Sequence, residues 1–140
     1  MGTRNSFAHN VADLIGAQHC DRNAWAWMAW MQAEGGSAAN NPLNCIVDRP
    51  GATLYNHVPG VKNYPTWEVG VEATAWTLKQ QNASLGFIAI VKCMKRCAPA
   101  HRTLEAVIAS DWGTTDLALR CLPEVRANYP HYGSMPVAEF

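Results

Sequence analysis

The segment "DRNAWAWMAWMQAEGG", residues 21–36, constrains this chain more than any other. It sets three tryptophans within six residues and ends on a lone glutamate before two glycines. The pattern predicts a helix opened by Asp21 or Asn23 and closed at Glu34, with Gly35-Gly36 as the stop. At helical spacing Trp27, Trp30, Met31 and Glu34 share one face, and a stripe of this kind faces a core. Glu34 then stands where the inward face meets the helix C-terminus. Partial desolvation and the negative end of the helix dipole are both expected to favour its neutral form. A glutamic acid held protonated near neutral pH suits a general acid. The plainer alternative is a solvated glutamate at a helix end.

The residues after Glu34 bear on that choice. Gly35-Gly36 can turn the chain sharply, and "AANNPLN" supplies amides close to the acid. Asn40, Asn41 and Asn44 can hydrogen-bond sugar hydroxyls or N-acetyl groups; they can equally be turn formers.

At 140 residues the chain has the size of one ordinary domain, read as a single unit over 1–140. Hydrophobic residues make up 49% and charged residues 16%, which fits a packed core and excludes a disordered chain. A formal net charge of zero argues against a nucleic-acid partner, which calls for a basic surplus. No apolar run is long enough for a membrane span, and no secretory signal is visible. "MGTRNS" fits a myristoylation pattern, but the same residues read as an ordinary helix start.

Periodicity and punctuation give a mainly α chain with a small β component (α+β). Ser6 is expected to cap a first helix through Ile15, with Gly16 as its stop. Between about residues 40 and 65 the pattern changes, and "ATLYN" and "GVKNY" suggest loops and a small β-hairpin. Thr66 caps a long helix to about Gln81. "LGFIAIVKCMKRC" reads as another, apolar enough to be central. Thr103 is expected to cap a short helix through Ala109, broken by "SDWGT". A last helical stretch runs from Asp116 to about Leu122, with Pro123 next.

The run "WMQAEGGSAANNPLN", followed by "YNHVPGVKNYPTWEVGVEATAWTL", resembles the lysozyme-like peptidoglycan hydrolase modules of actinobacterial phages. Those modules occur in endolysins and in tail tape-measure proteins. The run is also similar, more distantly, to the glucosaminidase family of flagellar and autolysin type. The resemblance covers roughly residues 25–80, with an echo in "ASDWGT" at 109–114. It implies a lysozyme-like fold, a bacteriolytic glycosidase acting on the glycan strands of the bacterial cell wall, and no cofactor. It makes Glu34 the acid and Tyr64 an aromatic hydroxyl lining the cleft from the hairpin side. Tyr55, Asn41 and Asn44 are expected on the substrate with it. It further implies action outside the cell, as part of a virion or a released lysin, and a place within a larger phage protein. No "GLMQ"-like segment follows the glutamate, so hydrolysis and anhydro-sugar formation both stay open.

Most glycosidases pair the acid with a second carboxylate, about 5–5.5 Å away in retaining enzymes and about 6.5–9.5 Å in inverting ones. Asp48, beside Arg49 in a loop, is the candidate base, although a surface turn residue is the simpler reading. Glu68 is explained by a helix N-terminus, and Glu72 lies on the same helix. A substrate N-acetyl group can also replace the second acid.

Two further classes compete with a glycosidase. Cys45 with His57 would make a cysteine peptidase or amidase acting on stem peptides. A non-catalytic wall-binding or tail module would keep the fold without the reaction. The five histidines, His9, His19, His57, His101 and His131, show no H-E-x-x-H and no two of them lie four apart, so no metal is expected. The five cysteines are an odd set and are read mainly as buried thiols, with one or two disulfides possible in an oxidising compartment. Trp67 and Trp112 are the tryptophans suspected of stacking on a sugar. "NAS" at Asn82 matches a glycosylation sequon.

Overall fold

Helix α2, Asp21–Glu34, has buried residues on nearly every side: Asn23, Ala24, Ala26, Trp27, Met28, Ala29, Trp30 and Met31. Such a helix must be enclosed by others, and α1 (Arg4–Ile15), α5 (Ala100–Ala109) and α6 (Leu117–Asn128) pack against it. Helix α3, Trp67–Leu78, lies on α1, and α4, Phe87–Lys95, bridges α3 and α5. The computed structural model describes residues 3–131. Gly2, the acceptor in the myristoylation pattern, lies outside them. The chain is mainly helical with one small antiparallel sheet, as the patterning predicts. No helix among the described residues is long and apolar enough to cross a membrane.

Several boundaries follow from their chemistry. Gly16 and Gly35 close α1 and α2 in the left-handed region, φ 76° and 57°, where a residue without a Cβ is least strained. The Thr66 hydroxyl caps α3 by accepting from the Val69 amide at 3.2 Å. At α1 the cap is Thr3, and Ser6 gives it its amide hydrogen at 3.0 Å. Ser6 therefore sits in the first turn and is not the cap. Helix α5 starts at Ala100 behind Pro99, which leaves Thr103 buried inside it.

Two expectations give way to packing. Helix α6 continues through Pro123 to Asn128 because Leu122 and Val125 on either side of the proline are both buried. An interior proline costs roughly 3 kcal/mol, and burial of two large aliphatic side chains offsets a cost of that size. The central helix is α2. Helix α4 buries Phe87, Ile90, Cys93 and Met94 and leaves Lys92 and Lys95 in solvent, so it is amphipathic and peripheral.

Between α2 and α3 the chain leaves the helical body. Strand β1 (Thr53–Leu54) pairs antiparallel with β2 (Lys62–Asn63), Thr53 opposite Asn63 and Leu54 opposite Lys62. Beneath this hairpin lies a small second core of Cys45, Tyr64 and Ala73, with Val47, Ala52 and Val69 packed on it. The excursion approaches α3 so closely that a Cβ at Gly70 would fall on the Asn40 carbonyl oxygen.

A disulfide joins Cys20, at the start of α2, to Cys97, just beyond α4, across a sequence separation of 77. Cys45, Cys93 and Cys121 are buried free thiols. Closing so long a loop in the unfolded chain is worth about 4–5 kcal/mol in the chain-entropy model. Cys20→Ser with Cys97→Ser should therefore lower the unfolding free energy by roughly 2–5 kcal/mol in urea titrations. Thiol titration of the unreduced, denatured chain should count three reactive sulfurs.

Candidate functional site

The α2 C-terminus, the excursion, the end of α3 and the loop between α5 and α6 converge on one region. Glu34 is half-buried at the last position of α2. Its carboxylate is held at both oxygens. The Thr114 hydroxyl donates to Oε1 at 2.6 Å, and Asn44 Nδ2 donates to Oε2 at 3.0 Å. The same Nδ2 reaches the Glu34 carbonyl at 3.1 Å, satisfying one of the orphan acceptors that end a helix.

The direction of the Thr114 bond is fixed from behind. Trp30 Nε1, an obligate donor inside the core, gives its hydrogen to Thr114 Oγ1 at 3.0 Å. That leaves the hydroxyl's own hydrogen for Glu34. Indole, hydroxyl and carboxylate thus form one directed chain from the core to the site. Among the described residues no basic side chain forms an ion pair with Glu34, so its donors are neutral.

Asn44 also lines an open groove of about 500 Å³. Ile46, Trp76, Gln80, Asp111 and Trp112 are among its walls. Glu34 does not line this groove; it stands one hydrogen bond away, through Asn44. Trp76 is 46% exposed, and the Arg49 guanidinium lies 5.0 Å from its ring centroid. The Trp112 ring is held by Nε1 donating to the Leu43 carbonyl at 2.8 Å and by edge contacts with Trp30 and Phe87. Asp111 is fixed through its backbone amide, which donates to Leu85 O at 2.8 Å. Aromatic faces beside amides and a carboxylate suit a polyhydroxylated ring, with apolar C–H faces and polar edges.

The residues expected at a substrate site fall into two groups. Glu34 and Asn44 come together. Tyr55 is half-buried on the hairpin, its ring 5.1 Å from that of His57. Tyr64 and Asn41 are inside the protein and do not face a cleft. Tyr64 is 1% exposed, and its hydroxyl donates to Val47 O at 2.6 Å. Burial pushes its phenol far above the ordinary tyrosine range. Asn41 is fully buried and serves as a backbone bracket, donating to the Cys45 and Lys62 carbonyls while accepting from the Cys45 amide. These are corrections, and both have one cause: the small second core needs its interior polar groups satisfied.

Asp48 is exposed, does not line the groove, and shares no hydrogen bond with Glu34 or its two holders. Its expected partner is drawn elsewhere. Arg49 makes a two-pronged pair with Glu72 at 2.7 and 3.1 Å, which raises the guanidinium and lowers the Glu72 carboxyl from their ordinary values. Trp67 packs edge-on against Phe7, 5.4 Å between centroids, away from the groove. Asn82 accepts from Ser84 and caps a short 3₁₀ turn, Ala83–Leu85. Sequence reasoning missed Thr114, Trp76 and Asp111. For Thr114 and Asp111 the signal available was the echo at "ASDWGT"; for Trp76 there was none beyond its place near a helix end.

Two substitutions test these hydrogen bonds. Thr114→Val leaves the buried Trp30 N–H without an acceptor and should cost about 1–3 kcal/mol, with Thr114→Ser recovering most of it in thermal unfolding. Tyr64→Phe should cost about 1–2 kcal/mol of unfolding free energy through loss of the bond to Val47.

Comparison with protein-family models, with curated proteins and with solved structures returned no match to this chain.

Proposed function

We propose that this protein is a glycosidase of lysozyme-like type that cleaves the glycan strands of bacterial peptidoglycan, with Glu34 as the general acid. The observation that carries the reading is the Glu34 carboxylate, aimed by Thr114 and Asn44 at the margin of an aromatic-walled groove. The likeness of residues 25–80 to phage peptidoglycan hydrolase modules supports it from the sequence side. In this reading a sugar ring lies against Trp76 and Trp112, and Asn44 and Gln80 meet its hydroxyl or acetamido groups. Glu34 gives its proton to the glycosidic oxygen as the bond to the anomeric carbon breaks.

Asp111 is the one carboxylate among the residues that line the groove, so it takes the second role that the sequence assigns to Asp48. There it faces the positive charge that develops on the ring or draws a proton from the attacking water. The Cys20–Cys97 disulfide accords with work outside the cytoplasm, as expected of a lysin or virion protein meeting the cell wall.

The cysteine peptidase reading loses support. Cys45 is 2% exposed, its Sγ sits 3.3 Å from the Thr77 hydroxyl, and no contact joins it to His57 among the described residues. A buried thiol without a base beside it is a poor nucleophile.

The test is release of reducing ends from purified cell walls. Glu34→Gln keeps the size of the side chain and should lower the rate by about 10²–10⁴-fold. Wild-type activity in Glu34→Gln would overturn the mechanism, and new amino groups in place of reducing sugars would overturn the reaction class. Mass spectrometry of the products identifies the bond cut and separates hydrolysis from an anhydro-sugar end.

A further inference from the structure

A second constellation lies away from the groove, where α1 turns into α2. His9 and Asp13 are one helical turn apart on α1 and share a face. Gly16 then ends α1 in the left-handed region, and the reversed chain brings His19 back beside them. Imidazole and carboxylate donor atoms of His9, Asp13 and His19 all lie within 4.8 Å of one another. His19 Nε2 is 2.6 Å from Asp13 Oδ1, and the His9 and His19 rings are stacked, centroids 3.6 Å apart. The histidines are ten apart in sequence, so no spacing motif announces the cluster.

The turn that carries His19 is firmly placed. The Gln18 amide donates to Met94 O, and its Nε2 to Lys95 O. Asn23 Nδ2 bridges the Gln18 and Met94 carbonyls at 2.8 and 2.7 Å. The Cys20–Cys97 disulfide fixes the next residue. Three potential ligands are therefore presented from a rigid base.

A separate observation points to an occupant. His9 and His19 help line a small cavity of about 10 Å³, roughly the room of one water molecule. Asn23 and Trp27 line it too, and they are only 1% and 3% exposed. The acceptor Asn23 Oδ1 and the donor Trp27 Nε1 have no hydrogen-bond partner within the protein. A buried donor and a buried acceptor left together call for a polar guest.

We propose that His9, Asp13 and His19 bind a divalent transition-metal ion of the zinc type, with water in the adjoining cavity as the fourth ligand. Two imidazoles and one carboxylate are a borderline donor set that suits Zn²⁺, Ni²⁺ or Cu²⁺ over Mg²⁺ and Ca²⁺. Three protein ligands leave one tetrahedral position open. A water there finds an acceptor in Asn23 and a donor in Trp27. Stacked rings aim their lone pairs side by side, so capture turns the Asp13 and His19 side chains, which are 59% and 32% exposed. The ion takes the place of the Nε2 contact between His19 and Asp13, and the hydrogen of the neutral imidazole moves to Nδ1. The bound ion would clasp α1 to the α1–α2 turn.

Calorimetric titration of the whole protein with ZnCl₂ tests this. One ion should bind per chain and raise the melting temperature. MgCl₂ and CaCl₂ should do neither. Asp13→Asn, His19→Gln and His9→Gln should each weaken Zn²⁺ binding by at least about tenfold, whereas His57→Gln and His101→Gln should not. Asp13 and His19 are exposed, so their variants decide the matter even if His9→Gln fails to fold. Absence of Zn²⁺ binding, or equal affinity in wild type and the Asp13 and His19 variants, would overturn the proposal.

Discussion

A helix enclosed on nearly every side must find partners for three indole N–H groups, and the rest of the structure depends on where those hydrogens go. Trp25 donates to the Tyr129 carbonyl at 2.6 Å, and Arg126 lies over its ring, which secures the far end of α6. Trp30 donates to Thr114 and so fixes the loop between α5 and α6. Trp27 finds no partner within the protein and opens onto the small cavity beside His9 and His19. One apolar helix thus sets the position of a terminal helix, of a loop at the groove and of a polar void.

Much of the helical body was readable because its punctuation is local. Gly16, Gly35 and Thr66 end or start helices through their own backbone or side-chain chemistry, and three or four residues decide each case. Pro123 misleads for the opposite reason. Its local cost is real, but Leu122 and Val125 are buried against elements distant in sequence, and no window around the proline records that. Thr103 misleads in the same way, since Pro99 starts the helix a turn earlier and burial absorbs the threonine.

The excursion shows what an asparagine-rich stretch is for. Asn40 and Asn44 adopt positive φ, 53° and 56°, which these side chains tolerate better than most. Asn40 donates to Tyr64 O, Asn41 brackets Cys45 and Lys62, and Asn63 accepts from the Ala39 amide. A loop with so little regular sheet must satisfy its backbone through side chains, and these amides do so. Of these asparagines Asn44 donates to the Glu34 carboxylate. Sequence could not single it out, because all of these asparagines offer the same amide and the choice among them is made by the path of the fold.

The placing of charge completes the separation between scaffold and site. Arg49 stands near the groove, yet Glu72 takes its guanidinium in a two-pronged pair and the Trp76 ring takes its face. That commits the guanidinium to Glu72 and Trp76, with no ion pair to the Glu34 or Asp48 carboxylate among the described residues. Glu34 is left to neutral donors, one an amide from the excursion and one a hydroxyl oriented by the core. Those two donors come from separate parts of the chain, so the aim of the carboxylate depends on the excursion and the helical core keeping their relative places.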